Sequence, residues 1–130
     1  MQGRHALVTG GGTGIGLAIA RGLAARGAAV TITGRRQSVL DEVAGGGLFG
    51  LAMDVRDETA VADTIAAAVE ARGPIQICVP NAGIALGRAV HKTSLEFWRD
   101  MMATNLDGAF LTIRESLKSM RQTEWGRVLT

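Results

Sequence analysis

The stretch Thr9-Gly10-Gly11-Gly12-Thr13-Gly14-Ile15-Gly16 has the composition of a phosphate cradle. It lies between a short apolar run and a segment of helical period, where free backbone N–H groups and the positive end of a helix dipole coincide. Glycine suits that place, because a Cβ would block a tight turn or hold a pyrophosphate away from the backbone. The spacing is T-G-x-x-x-G-x-G, carried by Thr9, Gly10, Gly14 and Gly16, and no register gives G-x-G-x-x-G. Gly12, Thr13 and Ile15 complete the candidate cradle. Roughly 20 residues further on, where an acidic side chain would bond the ribose hydroxyls of NAD, the chain reads Gly34-Arg35-Arg36. A guanidinium can grip a 2′-phosphate through two parallel N–H bonds, whereas a carboxylate repels it. Arg35 and Arg36 therefore favour NADP (NADPH) over NAD.

Such a cradle needs a sheet to hold it. Near-continuous apolar or β-branched runs predict strands at 5–9, 28–33, 48–53, 75–79 and 127–130, buried on both faces. Between them the apolar residues repeat at three and four. Ile15, Ala18, Ile19 and Leu23 form one predicted stripe, and Val61, Ile65, Ala68 and Val69 a second, after Asp57 as a helix cap. The longest helical segment opens at Thr93-Ser94-Leu95-Glu96, with capping-box spacing, and is expected to stop near Trp125-Gly126. Its stripe runs Trp98, Met102, Leu106, Ala109, Ile113, Leu117, Met120. Gly45-Gly46-Gly47 reads as a helix C-cap and turn. Strand and helix alternating with short connections give an α/β fold: a Rossmann-type doubly wound parallel sheet, three-layer α/β/α, spanning residues 1–130 as one domain.

Composition sets limits on the function. A chain of 130 residues with 47 % apolar side chains builds one core. Net charge is +2 and no basic run exceeds Arg35-Arg36, which argues against nucleic-acid binding. No apolar stretch is long enough to span a membrane. Cys78, the single cysteine, sits in the apolar run Ile75-Gln76-Ile77-Cys78-Val79 and reads as a small buried hydrophobe. Without a disulfide pair the expected location is cytoplasmic. No residue cluster has metal-ligand spacing, and His91-Lys92 reads as a solvated loop pair.

With these pieces in place the chain resembles the short-chain dehydrogenase/reductase family along its whole length. Four motifs in order carry the resemblance: Thr9-Gly10-x-x-x-Gly14-Ile15-Gly16, Asp54-Val55 after the third strand, Asn81-Ala82-Gly83 after the fourth, and Asn105 in the long helix. The resemblance implies that Asp54 bonds the adenine amino group, aided by the backbone of Val55. It implies that Asn81, Ala82 and Gly83 close over the adenosine ribose and steady the central strand. It also implies a catalytic part for Asn105, which would hold a water in a proton relay to a lysine. Family members commonly have another Asn before the Asn-Ala-Gly turn. Pro80 stands there instead, without an N–H to donate.

The implied activity is hydride transfer between nicotinamide and a ketone, oxoacyl group or secondary alcohol. A tyrosine serves as general acid/base, helped by a serine and a lysine. The 130 residues contain no tyrosine, so Tyr-x-x-x-Lys is absent from them. The expectation is an amino-terminal cofactor-binding portion, truncated after the fifth strand, of an enzyme resembling oxoacyl thioester reductases. Its expected partners are a small carbonyl or alcohol substrate and, in a homodimer or homotetramer, further copies of itself through the long helix. The alternative is a catalytically inactive, truncated dinucleotide-binding module.

Overall fold

A computed structural model describes residues 1–130. The elements run β1 (His5–Thr9), α1 (Gly14–Ala24), β2 (Ala29–Gly34), α2 (Gln37–Asp41), β3 (Leu48–Ala52), α3 (Glu58–Arg72), β4 (Ile75–Val79), α4 (Leu95–Met102), α5 (Gly108–Met120) and β5 (Arg127–Val128). A 3-10 turn, Val90–Lys92, precedes α4, and a π-helical turn, Ala103–Asp107, joins α4 to α5. All five strands are parallel, in the order β3-β2-β1-β4-β5. The strand order reverses beside β1, and ligands of such sheets bind outside the carboxyl ends at that reversal.

Alternation along β1 divides the core into two layers. Ala6 and Val8 point into a cluster with Ala20, Leu23, Val30 and Ile32 beneath α1 and α2. Leu7 points the other way, to Val61, Ile65 and Leu111 beneath α3 and α5. Leu7 and Ile32 are fully buried, and each such side chain contributes about 1.5–3 kcal/mol. His5 and Thr9 are the buried polar members of β1, and His5 ties it to its surroundings. The His5 Nδ1–H donates to the Gly73 carbonyl (2.8 Å) and its Nε2 accepts from the Thr31 hydroxyl (2.8 Å), which fastens the end of α3 to the sheet. Burial pushes its pKa below the ordinary imidazole value.

Several sequence expectations shift in register or extent. The second strand is displaced by one residue, the third starts as expected at Leu48 but ends one residue early at Ala52, and the fifth is only Arg127–Val128. On α1 the buried residues are Gly16, Ala20 and Leu23, while Ile15 and Ala18 face solvent. The reason is Gly16: it must face the turn after β1, and that rotates the apolar stripe. Asp57 caps α3 as expected, accepting from the Ala60 N–H (3.0 Å). Gly45–Gly47 is a turn between α2 and β3, closed by two backbone bonds between Gly45 and Leu48 (3.0 Å each), and Glu42 is the C-cap of α2.

The long helical segment departs most from expectation. Its N-cap is Ser94, whose hydroxyl accepts from the Phe97 N–H (3.2 Å), and α5 ends at Met120, where Thr123 tightens the chain by bonding the Met120 carbonyl (2.8 Å). Trp98, Leu106 and Leu117 of the apolar stripe are exposed. The face of α5 laid on the sheet carries Leu111, Thr112, Glu115, Ser116 and Ser119 instead. Ser119 accepts from the Ile75 N–H (2.7 Å), and Glu115 is held by Arg114 and Lys118. Thr112, Glu115 and Ser119 can lie there because each has a partner in the fold, whereas the buried Ser116 hydroxyl has none.

Candidate cofactor site

The turn after β1 is built by close approach. Gly10 has φ +64°, and a Cβ there would stand 3.1 Å from the Ala82 backbone and the Asn81 amide. A Cβ on Gly16 would run into the Gly10 carbonyl and the Asn81 Nδ2. Asn81 locks this arrangement by donating to the Thr9 carbonyl (3.0 Å) and more weakly to the Gly10 carbonyl (3.4 Å). The Ala82 N–H donates to the Thr9 hydroxyl (2.9 Å), so the Asn81-Ala82-Gly83 turn is bolted to the end of β1. Thr13 caps α1 with extended backbone and no side-chain hydrogen bond. The N–H groups of the first turn of α1 thus stay open to an acceptor.

A cavity of about 340 Å3 opens beside this cradle, along the carboxyl ends of β1, β2 and β3. Gly10, Gly12 and Thr13 form one end and Arg35 and Arg36 the rim; Asp54, Val55, Ala82 and Gly83 complete the predicted set. Gly14, Ile15, Gly16 and Asn81 do not line it: Gly16 and Asn81 shape the cradle from behind, and Ile15 is exposed. Val39, Leu40 and Met53 give it apolar walls, and the buried Thr33 hydroxyl beside it has no protein partner. Three guanidiniums, of Arg35, Arg36 and Arg56, stand against two carboxylates, of Asp54 and Asp100. Apolar walls, a cationic rim and open N–H groups match the parts of an adenine nucleotide: ring, phosphates and ribose.

Asp54 is a carboxylate held well below its ordinary pKa, first by hydrogen bonding from the Arg56 side chain, and Arg35 adds to the effect. Asn105 lies in the π-helical turn, exposed and outside the cavity lining. Its Oδ1 accepts from the Ile84 N–H (2.8 Å) and its Nδ2 donates to the Ile84 carbonyl (2.9 Å), so the amide is tied to the loop after β4 and keeps one N–H and one lone pair unused. A Cβ on Gly83 would lie 3.2 Å from that same Oδ1. Sequence reasoning missed Arg56, Asp100 and Thr104, which also line the cavity. The Asp54-x-Arg56 spacing was the available signal for the first. Asp100 and Thr104, one turn apart on one helix face, carried none. Cys78 is buried, and burial pushes its thiol up to about 11, as an inert core residue requires.

The short chain dehydrogenase family profile matches residues 4–130. The chain belongs to the short-chain dehydrogenase family. It is 38 % identical over 126 residues to the 3-oxoacyl-[acyl-carrier-protein] reductase MabA of Mycobacterium tuberculosis, covering 97 % of this chain and 49 % of that protein. It is 38 % identical over 131 residues to the NADP-dependent (R)-specific alcohol dehydrogenase of Lentilactobacillus kefiri, covering 97 % and 52 %. Among solved structures, a doubly substituted Serratia marcescens short-chain dehydrogenase/reductase superposes with a TM-score of 0.90 at 31 % identity, covering 98 % of this chain and 54 % of that one. The chain thus spans about half the length of the curated relatives it matches. No helix is long and apolar enough to cross a membrane.

Proposed function

We propose that this chain forms the NADP(H)-binding part of an oxidoreductase acting on a ketone, oxoacyl or secondary alcohol substrate. The observation that carries the reading is the juxtaposition of an open helix N-terminus, closed behind by Gly16 and Asn81, with Arg35 and Arg36 on the rim of the same cavity. The first-turn N–H groups of α1 would hold the pyrophosphate, and Arg35, with Arg36 beside it, the 2′-phosphate. Asp54 and the Val55 backbone would meet the adenine, and the Asn81–Gly83 turn the adenosine ribose. When bound, the dinucleotide supplies a hydride donor or acceptor. Asn105 is the catalytic candidate, holding a water in a proton relay to a lysine, and its two bonds to Ile84 also fix the loop that follows the Asn81–Gly83 turn. The relatives named as an oxoacyl reductase and an alcohol dehydrogenase support the substrate class.

Arg35→Asp tests the cofactor assignment. It is expected to weaken NADPH binding about 10- to 100-fold, the range for losing a charged hydrogen bond, and to leave NADH within about threefold, by fluorescence titration. Equal weakening of both overturns the assignment of Arg35.

A second reading rests on composition. None of the 130 residues is tyrosine, so the general acid of this chemistry is not among them, and this portion on its own binds a dinucleotide without turning it over. Self-association through the exposed apolar face of α4 and α5, and a reducing cytosolic setting for the lone buried thiol, complete the proposal.

A further inference from the structure

Asp54 and Arg56, two residues apart, form a forked ion pair within the wall of the cavity. Arg56 Nη2 donates to Asp54 Oδ2 (2.7 Å) and Nε to Oδ1 (3.0 Å), with a longer reach to Oδ2 (3.2 Å). The Arg56 backbone N–H also donates to Oδ1 (3.0 Å). Both side chains keep part of their surface open, 32 % for Asp54 and 42 % for Arg56, and both line the same cavity. An isolated pair of this exposure contributes little to stability. Its position matters more.

A carboxylate offers about four acceptor positions. Taken at their shortest contacts, three donors of Arg56 occupy three of them: the backbone N–H and Nε–H on Oδ1, and Nη2–H on Oδ2. One acceptor position remains, on a carboxylate whose rotamer and ionisation are both fixed by the neighbouring residue. The ligand group that fits one fixed acceptor is a single N–H donor. An exocyclic 6-amino group on a purine supplies that; a 6-oxo group presents a lone pair and is repelled. Asp100, from α4, lines the same cavity and adds a second negative charge to the surroundings of Arg56.

We propose that Arg56 is a positioning residue for base recognition: by chelating Asp54 it presents one oriented carboxylate lone pair and so makes the site select a 6-aminopurine dinucleotide over its 6-oxo analogue. This inference rests on the dinucleotide reading given above, and the experiment separates the two. Arg56 acts through Asp54, so its removal changes discrimination between bases, whereas a merely structural ion pair would change the affinity for every base alike.

The probes are NADP+ and its hypoxanthine analogue, which differs at the 6-position of the base, titrated into the protein as expressed from its full reading frame. Unsubstituted protein is expected to prefer the adenine form roughly 10- to 100-fold, the range of one hydrogen bond to a charged group. Arg56→Ala lowers that preference about 3- to 10-fold, the scale of leaving one side chain to be ordered on binding. Arg56→Lys, which keeps the charge without the fork, restores less than half of the lost preference on a logarithmic scale. Thermal unfolding of each variant reports that it is folded, and a variant that fails this check is replaced by Arg56→Gln. Unchanged discrimination in the folded Arg56 variants, or an equal loss for both probes, overturns the role of Arg56 while leaving the cofactor reading intact. Absence of binding for both probes to the unsubstituted protein overturns the cofactor reading and this inference with it.

Discussion

The carboxyl end of the sheet and the α4–α5 face use apolar and polar residues in opposite ways. At the sheet end, polar chemistry stands at the surface of a cavity and apolar side chains support it from beneath. On α5 the order is inverted: Thr112, Glu115, Ser116 and Ser119 lie against the sheet while Phe110 and Leu117, with Trp98 and Leu106 before them, face outward. The first arrangement is complete within the chain, because each glycine contact and each Asn81 bond closes on the chain itself. The second leaves large apolar side chains uncovered, which is the pattern of a surface met by another one. A folded cradle therefore does not depend on the helix face, and the two can be broken separately.

Gly16→Ala is the most severe test of that independence. Its Cβ would meet the Gly10 carbonyl and the Asn81 amide, which costs about 1–3 kcal/mol by overpacking. Because the displaced groups are those that shape the cradle, NADPH affinity is expected to fall about 10- to 100-fold, while the oligomeric state stays as it was. Calorimetric titration and sedimentation read the two effects. An intact affinity would mean that the cradle is not closed by Gly16.

Phe110→Glu approaches the comparison from the other side. Phe110 is 57 % exposed, so unfolding free energy should stay within about 0.5 kcal/mol and NADPH affinity within about twofold. Self-association, measured by sedimentation on the protein expressed from its full reading frame, should weaken sharply. If assembly is unchanged, the outward face serves something other than contact between copies.

The two regions also differ in how far they could be read from sequence. The glycine spacing and Arg35-Arg36 were legible because their chemistry depends on local backbone and charge, whereas Asp54 and the Asn81-Ala82-Gly83 turn were singled out only by the family resemblance; Asp54, Ala82 and Gly83 line the same cavity as the arginines. The strands were legible to within a residue or two, since runs buried on both faces do not need a known neighbour to be recognised. The stripe on α1 was misplaced because Gly16, which carries no hydrophobic signal, decides which side of the helix faces the sheet. The stripe on the long segment gave an apolar side without saying what it meets, and Trp98, Leu106 and Leu117 of it face outward while Met120 is buried. Periodicity shows that a helix has an apolar face, but not that this face meets its own sheet.

Arg56 was hidden for a different reason. Asp57 next to it already explained the local sequence as a helix cap, and it does cap α3. The fork between Arg56 and Asp54 depends on the turn between β3 and α3, which spacing alone does not disclose. Asp100 and Thr104 reach the cavity because the Asn105 amide ties the π-helical turn to Ile84, a long-range contact with no sequence signature.

The proposed ligand of this cavity is a 2′-phosphorylated adenine dinucleotide with its pyrophosphate on the first turn of α1. A crystal structure of the chain with NADP+ tests it most directly. Pyrophosphate oxygens are expected within hydrogen-bond distance of backbone N–H groups between Thr13 and Gly16, the 2′-phosphate against Arg35, and the adenine amino group on Asp54. A dinucleotide bound elsewhere, or one bound here with its 2′-phosphate turned away from Arg35 and Arg36, would contradict it.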